Sequence, residues 1–294
     1  MKRLEILKTY KIYIGGKFPR TESGRFYPLE NKQGKHLANI CLSSRKDFRN
    51  AVVEARKAFG DWSNRSAFNR SQILYRIAEM LEGRKAQFIS EIVFQGGTNK
   101  AAEVEVDLAI DRLVYYAGWC DKFTQIYSSV NPVASSHFNF SVPEPTGVVA
   151  IIASEKTSLL GLVSVVAPAI AGGNTCIVLA SENKPLCAVS FAEVLVTSDV
   201  PGGVINILTG KSKELHTHFA SHMDVNAVVY ARDNKEEIKV IQQTAVNNMK
   251  RVFVYDTIDW NKQESQGPEL ILDTLEIKTT WHPVENIGSS KAGY

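Results

Sequence analysis

A chain of 294 residues with 44% hydrophobic and 9% aromatic content is long enough to bury a large core, which excludes a disordered segment or a disulfide-dependent miniature fold. Its 34 basic and 31 acidic residues are spread along the whole length and leave a formal net charge of +3. No basic stripe forms, so no nucleic-acid partner is expected.

The N-terminal stretch MKRLEILKTYK mixes charged and apolar residues without the hydrophobic core of a signal peptide. The longest apolar run, Leu159 to Ala171, is shorter than the roughly 20 residues of a membrane span and carries Ser164 and Pro168, so no membrane association is expected. Cys41, Cys120, Cys176 and Cys187 form no CxxC pair, which predicts reduced, buried thiols in a cytoplasmic setting and no zinc site.

In chain order, residues 1 to 45 carry turn signals at Gly15-Gly16, Gly24 and Gly34 between short β-type runs, and predict an antiparallel entry arm. Apolar residues then recur at three- and four-residue spacings, as in Val52, Ala55 and Phe59 or Ile73, Ile77 and Leu81. They predict helices over about 45–60, 66–95 and 99–126. HFNFSV alternates Phe138, Phe140 and Val142 with His137, Asn139 and Ser141, the period of a half-buried strand.

From Gly147 to Asp256, buried β-runs (VVAII, TCIVLA, VINILTG, AVVYA, RVFVYD) alternate with helical segments. That pattern predicts an α/β, Rossmann-like doubly wound parallel sheet. A polar, turn-rich stretch follows, then LEIKTTWHPV, a second amphipathic strand with Leu275, Ile277, Thr279 and Trp281 on one face. The tail ENIGSSKAGY is small and polar and is expected to be loose.

Several clusters have a sharp reading and a bland one. His216, His218 and His222 in HTHFASH suggest metal ligands, but no carboxylate or cysteine joins them, and a solvated helix end is favoured. GGTNKAAEVEVD lacks the spacing and the Lys-Ser/Thr ending of a phosphate loop and is read as an inter-helix turn. Glu103, Glu105, Asp107 and Asp111 are read as the wet face of a helix.

YIGGKF, YYAGWCDK at 115–122, EPTGVVAII at 144–152, APAIAGGNTCIVL at 167–179, PGGVINILTG at 201–210 and EIKTTW at 276–281 together resemble, in order, the landmarks of the NAD(P)-dependent aldehyde dehydrogenase family. The extended helix SLLGLVSVVAPA makes the non-catalytic C-terminal half of the aldehyde dehydrogenase 16 group the most similar branch. The departures are specific. Where the family has the turn Pro-Trp-Asn-Phe-Pro with its oxyanion asparagine, this chain has Ala153-Ser154-Glu155-Lys156-Thr157-Ser158. Leu179 replaces the ribose-binding lysine, whereas Glu182 matches the ribose-contacting glutamate. The Phe-Thr-Gly-Ser turn at the pyrophosphate becomes Tyr230-Ala231-Arg232-Asp233, and Tyr255 stands at the catalytic glutamate. Barely twenty residues separate Asp256 from Glu276, too few for the family's catalytic domain with its nucleophilic cysteine.

These departures imply a nucleotide-binding-fold domain over 1–256, with an arm strand at about 136–143, and a linker with a C-terminal oligomerisation strand over 257–294. The expected function is that of a non-catalytic aldehyde dehydrogenase-like subunit, a pseudoenzyme with no catalytic or metal residues and no resident cofactor. The resemblance further implies that strands 136–143 and 274–283 lie together as one arm, and docking on a full-length aldehyde dehydrogenase through them. The alternatives are an NAD(H)-sensing module retaining Glu182 as a cofactor contact, and an aldehyde oxidoreductase with an unrecognised site.

Overall fold

The computed structural model describes residues 7–31 and 33–284; the predicted loose tail lies outside the described residues. The entry arm contains β1 (Thr9–Tyr10), β2 (Phe26–Glu30) and β3 (His36–Cys41) in the order β1-β3-β2. The predicted turn at Gly15-Gly16 is present: both residues take positive φ, 59° and 81°, while Ile14 and Lys17 exchange backbone hydrogen bonds of 3.0 Å. The expectation of a wholly antiparallel arm needs correction, because β1 runs parallel to β3. After β1 the chain continues to the edge of the main sheet, where Tyr13 and Ile207 exchange two bonds of 2.8 Å.

The helical region contains α1 (Arg45–Ser63), α2 (Ala67–Gly83), α3 (Lys85–Phe94), α4 (Asn99–Trp119) and α5 (Phe123–Tyr127). The apolar periodicity predicted one helix over 66–95. It is broken at Arg84, whose guanidinium turns to Gln87 (2.7 Å) and Glu193 (2.6 Å). Asp47 and Ser44 close a capping box at the start of α1, and Ser66 and Thr98 cap α2 and α4.

The main sheet follows β4 (Ser129–Asn131) and β5 (His137–Pro145). It consists of β6 (Val148–Ile152), β7 (Thr175–Leu179), β8 (Ile205–Leu208), β9 (Ala227–Tyr230) and β10 (Arg251–Val254), all parallel, in the order β10-β9-β6-β7-β8. Between its strands run α6 (Leu160–Ala171), α7 (Leu186–Val196), α8 (Ser212–Ser221) and α9 (Lys235–Ala245). Alternation along β6 divides the core. Val149 and Ile151 pack with α2, α4, α6 and α7, while Val148, Ala150 and Ile152 pack with α1, α8 and α9. This is the predicted doubly wound sheet, with helices on both faces.

Residues 255–274 connect the sheet to β11 (Leu275–Pro283) through a short helix α10 (Glu269–Leu272). The stretch is less polar in effect than its composition suggests. Trp260 is fully buried, and the buried guanidinium of Arg112 on α4 holds the carbonyls of Trp260 (2.8 Å) and Lys262 (2.7 Å). Gly161 on α6 allows this approach, since a Cβ there would stand 2.8 Å from Ser154 and Thr157 and 3.3 Å from the Trp260 ring.

β11 pairs antiparallel with β5 over nine residues, from Leu275 opposite Pro145 to Pro283 opposite His137, and β4 completes a ribbon in the order β11-β5-β4. The two strands therefore lie together, as the resemblance implied. In β5 the burial is the reverse of that suggested by alternation, whereas β11 is exposed on both faces from Ile277 onward. Asn139 and Ser141 are buried, while Phe138 is 47% exposed and Ile277 and Trp281 are each 57% exposed. A polar ladder accounts for the buried side: Asn131 Nδ2 donates to Asn139 Oδ1 (2.7 Å) and Ser141 Oγ (2.9 Å), and Ser141 Oγ lies 2.8 Å from Thr279 Oγ1.

Candidate functional site

In a doubly wound sheet the binding crevice opens at the C-terminal ends of the strands where the order reverses, here between β6 and β9. A crevice of about 370 Å³ occupies that position, lined by the loops after β6 (Ser154, Glu155), β7 (Glu182, Asn183) and β9 (Ala231, Arg232, Asp233). The sequence brings one carboxylate to each of the first two loops and one guanidinium to the third.

Arg232 crosses the switch point and is buried. Its Nε donates to the Ala153 carbonyl and one terminal nitrogen to the Ala180 carbonyl, both at 2.9 Å. The other terminal nitrogen reaches Glu155 and Glu182, each at 2.8 Å. Both carboxylates have further donors. Glu155 accepts from Ser181 Oγ (2.6 Å) and the Glu182 amide (2.8 Å), and Glu182 accepts from the Ser212 amide (2.5 Å). The Tyr27 hydroxyl donates to the Glu182 carbonyl (3.1 Å), and burial raises the phenol well above its ordinary pKa.

Helices α6 to α9 begin at this same edge, where free backbone amides and the helix dipole favour an anion. Each is met by a side chain of the protein. Glu105 on α4 accepts from the amides of Ser158 (2.8 Å) and Leu159 (2.7 Å) at the start of α6. Gln95 accepts from Leu186 at α7 (3.1 Å), Glu182 from Ser212 at α8, and Asn234 from Glu236 (3.1 Å) and Glu237 (3.2 Å) at α9. Glu105 thus departs from the expected wet helix face. The stripe Ala102, Val106 and Ala109 is buried, and Glu105 stands at its border, turned inward. That border position is the signal by which sequence reasoning had access to it. The reading also left Glu155 without a role, although a carboxylate in one strand-end loop opposite an arginine in another marks an ion pair.

A dinucleotide needs open backbone amides at its pyrophosphate and a free carboxylate at its ribose. Here Arg232 lies across the former and Glu182 is already bonded to Arg232 and Ser212, so the residues present do not fit the group in this arrangement. Leu179 is fully buried within β7. Tyr255, at the position of the family's base, donates to Asp273 at 2.6 Å, and burial together with that carboxylate pushes its pKa well above a free phenol's.

The four cysteines are free and buried. Burial pushes the Cys120 thiol up to about 12 and raises Cys176 and Cys187 as well, the opposite of what a thiolate nucleophile requires. His216 Nδ1 lies 2.8 Å from the Ser212 carbonyl oxygen. His218 and His222 are held below the ordinary histidine pKa, first by burial. Among the described residues no group of three or more His, Cys, Asp or Glu side chains is placed to hold a metal ion, and no helix is long and apolar enough to cross a membrane. GGTN forms the turn between α3 and α4, as predicted.

Comparison with known proteins supplies the relatives. The profile of the aldehyde dehydrogenase family matches residues 19–254. A putative aldehyde dehydrogenase, DhaS, from Bacillus subtilis is 33% identical over 94% of this chain and 55% of its own length. Cytosolic 10-formyltetrahydrofolate dehydrogenase of Mus musculus is 28% identical over 100% of this chain and 36% of its own length. Among solved structures, the NAD+ complex of aldehyde dehydrogenase from Bacillus cereus superposes with a TM-score of 0.79 at 24% identity, covering 84% of this chain and 50% of that one. Indole-3-acetaldehyde dehydrogenase in its apo form gives 0.78 at 26% identity, over 85% of this chain and 58% of that one. The chain therefore spans about half the length of relatives such as DhaS, and less of the larger ones.

These findings correct one expectation. The missing cysteine, glutamate and asparagine pointed to a pseudoenzyme, yet the relatives matched over 94% and 100% of this chain are named as dehydrogenases. Side chains at one crevice do not measure the reaction of relatives of which this chain spans 55% and 36%. With the profile covering residues 19–254 and the doubly wound fold in place, the chain belongs to the aldehyde dehydrogenase family.

Proposed function

We propose that this chain works as an aldehyde dehydrogenase-family oxidoreductase component in assembly with a full-length aldehyde dehydrogenase, docking through the ribbon of β4, β5 and β11. The observation that carries the reading is the outer edge of β11. It ends the three-stranded sheet, and Ile277 and Trp281 are each 57% exposed along it. An unpaired strand edge with apolar side chains is a template for an added strand, since backbone bonds give affinity and alternate side chains give selectivity. Lys278 and Glu276 on the same edge lie 3.7 Å apart and are exposed to pair with charges of the partner.

The relatives matched by this chain support oxidation of an aldehyde-level carbon as the reaction class of the assembly. Co-expression with a full-length aldehyde dehydrogenase, followed by native mass spectrometry, tests the docking. A stable complex that dissociates when Ile277→Lys and Trp281→Lys are combined is the expected result. A chain that remains monomeric beside the dehydrogenase at micromolar concentration removes the reading.

A further inference from the structure

We propose that Arg232 is a built-in occupant of the nucleotide crevice, which with Glu155 and Glu182 ties the strand-end loops together and excludes dinucleotides. Three features make the side chain behave as a ligand of its own protein. Its donors reach the other two loops at the switch point, Ala153 and Glu155 after β6 and Ala180 and Glu182 after β7, while its own backbone follows β9. Its guanidinium side chain is only 6% exposed, and both carboxylates are below a third exposed, so the charges meet in a medium that strengthens them. Finally, Glu182 carries the contact on to the first amide of α8, and Ser212 Oγ extends it to Glu237 at 2.6 Å. The same Glu237 oxygen accepts from the Tyr230 hydroxyl at 2.8 Å, which closes the circuit back to β9.

The electrostatics explain the exclusion. A pyrophosphate entering the crevice must displace two carboxylates from the arginine or share the site with them, and a pyrophosphate beside two uncompensated carboxylates is repelled. A ribose approaching Glu182 finds its Oε1 already engaged by Arg232 and Ser212. The clamp is independent of the ribbon, so variants of β11 leave it intact and the assembly experiment does not bear on it.

Calorimetric titration with NAD+ and with NADH tests the clamp. The wild-type chain is expected to bind neither with a dissociation constant below about 1 mM. Arg232→Gly combined with Glu155→Gln removes the stopper and one of the two carboxylates left behind, keeps Glu182 for a ribose, and is expected to tighten binding at least tenfold. Wild-type binding tighter than about 1 mM overturns the proposal, as does a folded double variant that binds no better than wild type. If the double variant does not fold, amide exchange of residues 153–158, 180–183 and 231–234 in the wild type decides the matter. Protection unchanged by about 5 mM NAD+ supports the clamp, and protection that rises with NAD+ overturns it.

Discussion

The strand-end crevice and the β4-β5-β11 ribbon draw on similar side chains, charged and polar groups beside large apolar ones, and arrange them in opposite ways. In the crevice, the functional groups are turned onto one another. Arg232 has four acceptors and Glu105 covers the amides at the start of α6. In the ribbon Asn131, Asn139, Ser141 and Thr279 bond to one another, while Phe138, Ile277 and Trp281 stand exposed. An interaction with another molecule gains little at a saturated site, whereas an open edge with exposed aromatic and aliphatic groups offers both backbone bonds and area.

The contrast can be broken most severely at its closed pole. Arg232→Met leaves two carboxylates facing each other in a partly buried site, and is expected to cost about 3–5 kcal/mol in urea unfolding. A loss below about 1 kcal/mol would show that the clamp carries no weight. Trp260→Ala should cost about 3 kcal/mol by the same measurement, because it empties the space between α4, α6 and the linker. That result would assign the linker to the closed region. Glu105→Gln keeps an acceptor at α6 but removes the charge, and is expected to cost about 1 kcal/mol, seen as a shifted unfolding midpoint.

Lys250 sharpens the comparison by supplying a buried cation without a bonded carboxylate. Its Nζ donates to the carbonyls of His222 (2.7 Å) and Val225 (2.6 Å), and burial holds its pKa down to about 8 against an ordinary 10.5. Below about 8 the ammonium is charged in both states and the cost of burying it is fully present. Between about 8 and 10.5 the unfolded chain keeps a proton that the folded chain has released, so folding stability rises with pH. Unfolding of the wild type relative to Lys250→Met should show that rise across the window, and a flat difference would contradict it. The smallest effect on the fold belongs to the open pole. Ile277→Lys with Trp281→Lys should change the chain's own stability by within about 0.5 kcal/mol while abolishing assembly.

Much of this architecture was legible in the sequence. Buried runs such as VVAII and TCIVLA could only be strands covered on both faces, and β6 and β7 are indeed fully buried. The pairing of 137–145 with 275–283 followed from resemblance, since local alternation names no partner for a strand. Alternation also misassigned the buried face of β5, because it locates apolar side chains and does not say which face the rest of the chain covers. The candidate site was legible as a set of departures, Glu155, Leu179, Arg232 and Tyr255, around one retained residue, Glu182. It was not legible as a circuit, because the contacts of Arg232 span 79 and 52 residues in sequence and that of Glu105 with Ser158 spans 53. The break at Arg84 escaped for the same reason, as its partner Glu193 is 109 residues away.

The ladder of Asn131, Asn139, Ser141 and Thr279 has a consequence for the kinetics of any encounter. Slipping the strands by one residue would point these side chains to opposite faces and strand them without partners, so the ribbon is held in a single register before anything touches it. A newcomer meets a preset template and forgoes the entropy loss of ordering a loose tail, leaving orientation of two rigid bodies as the main hurdle.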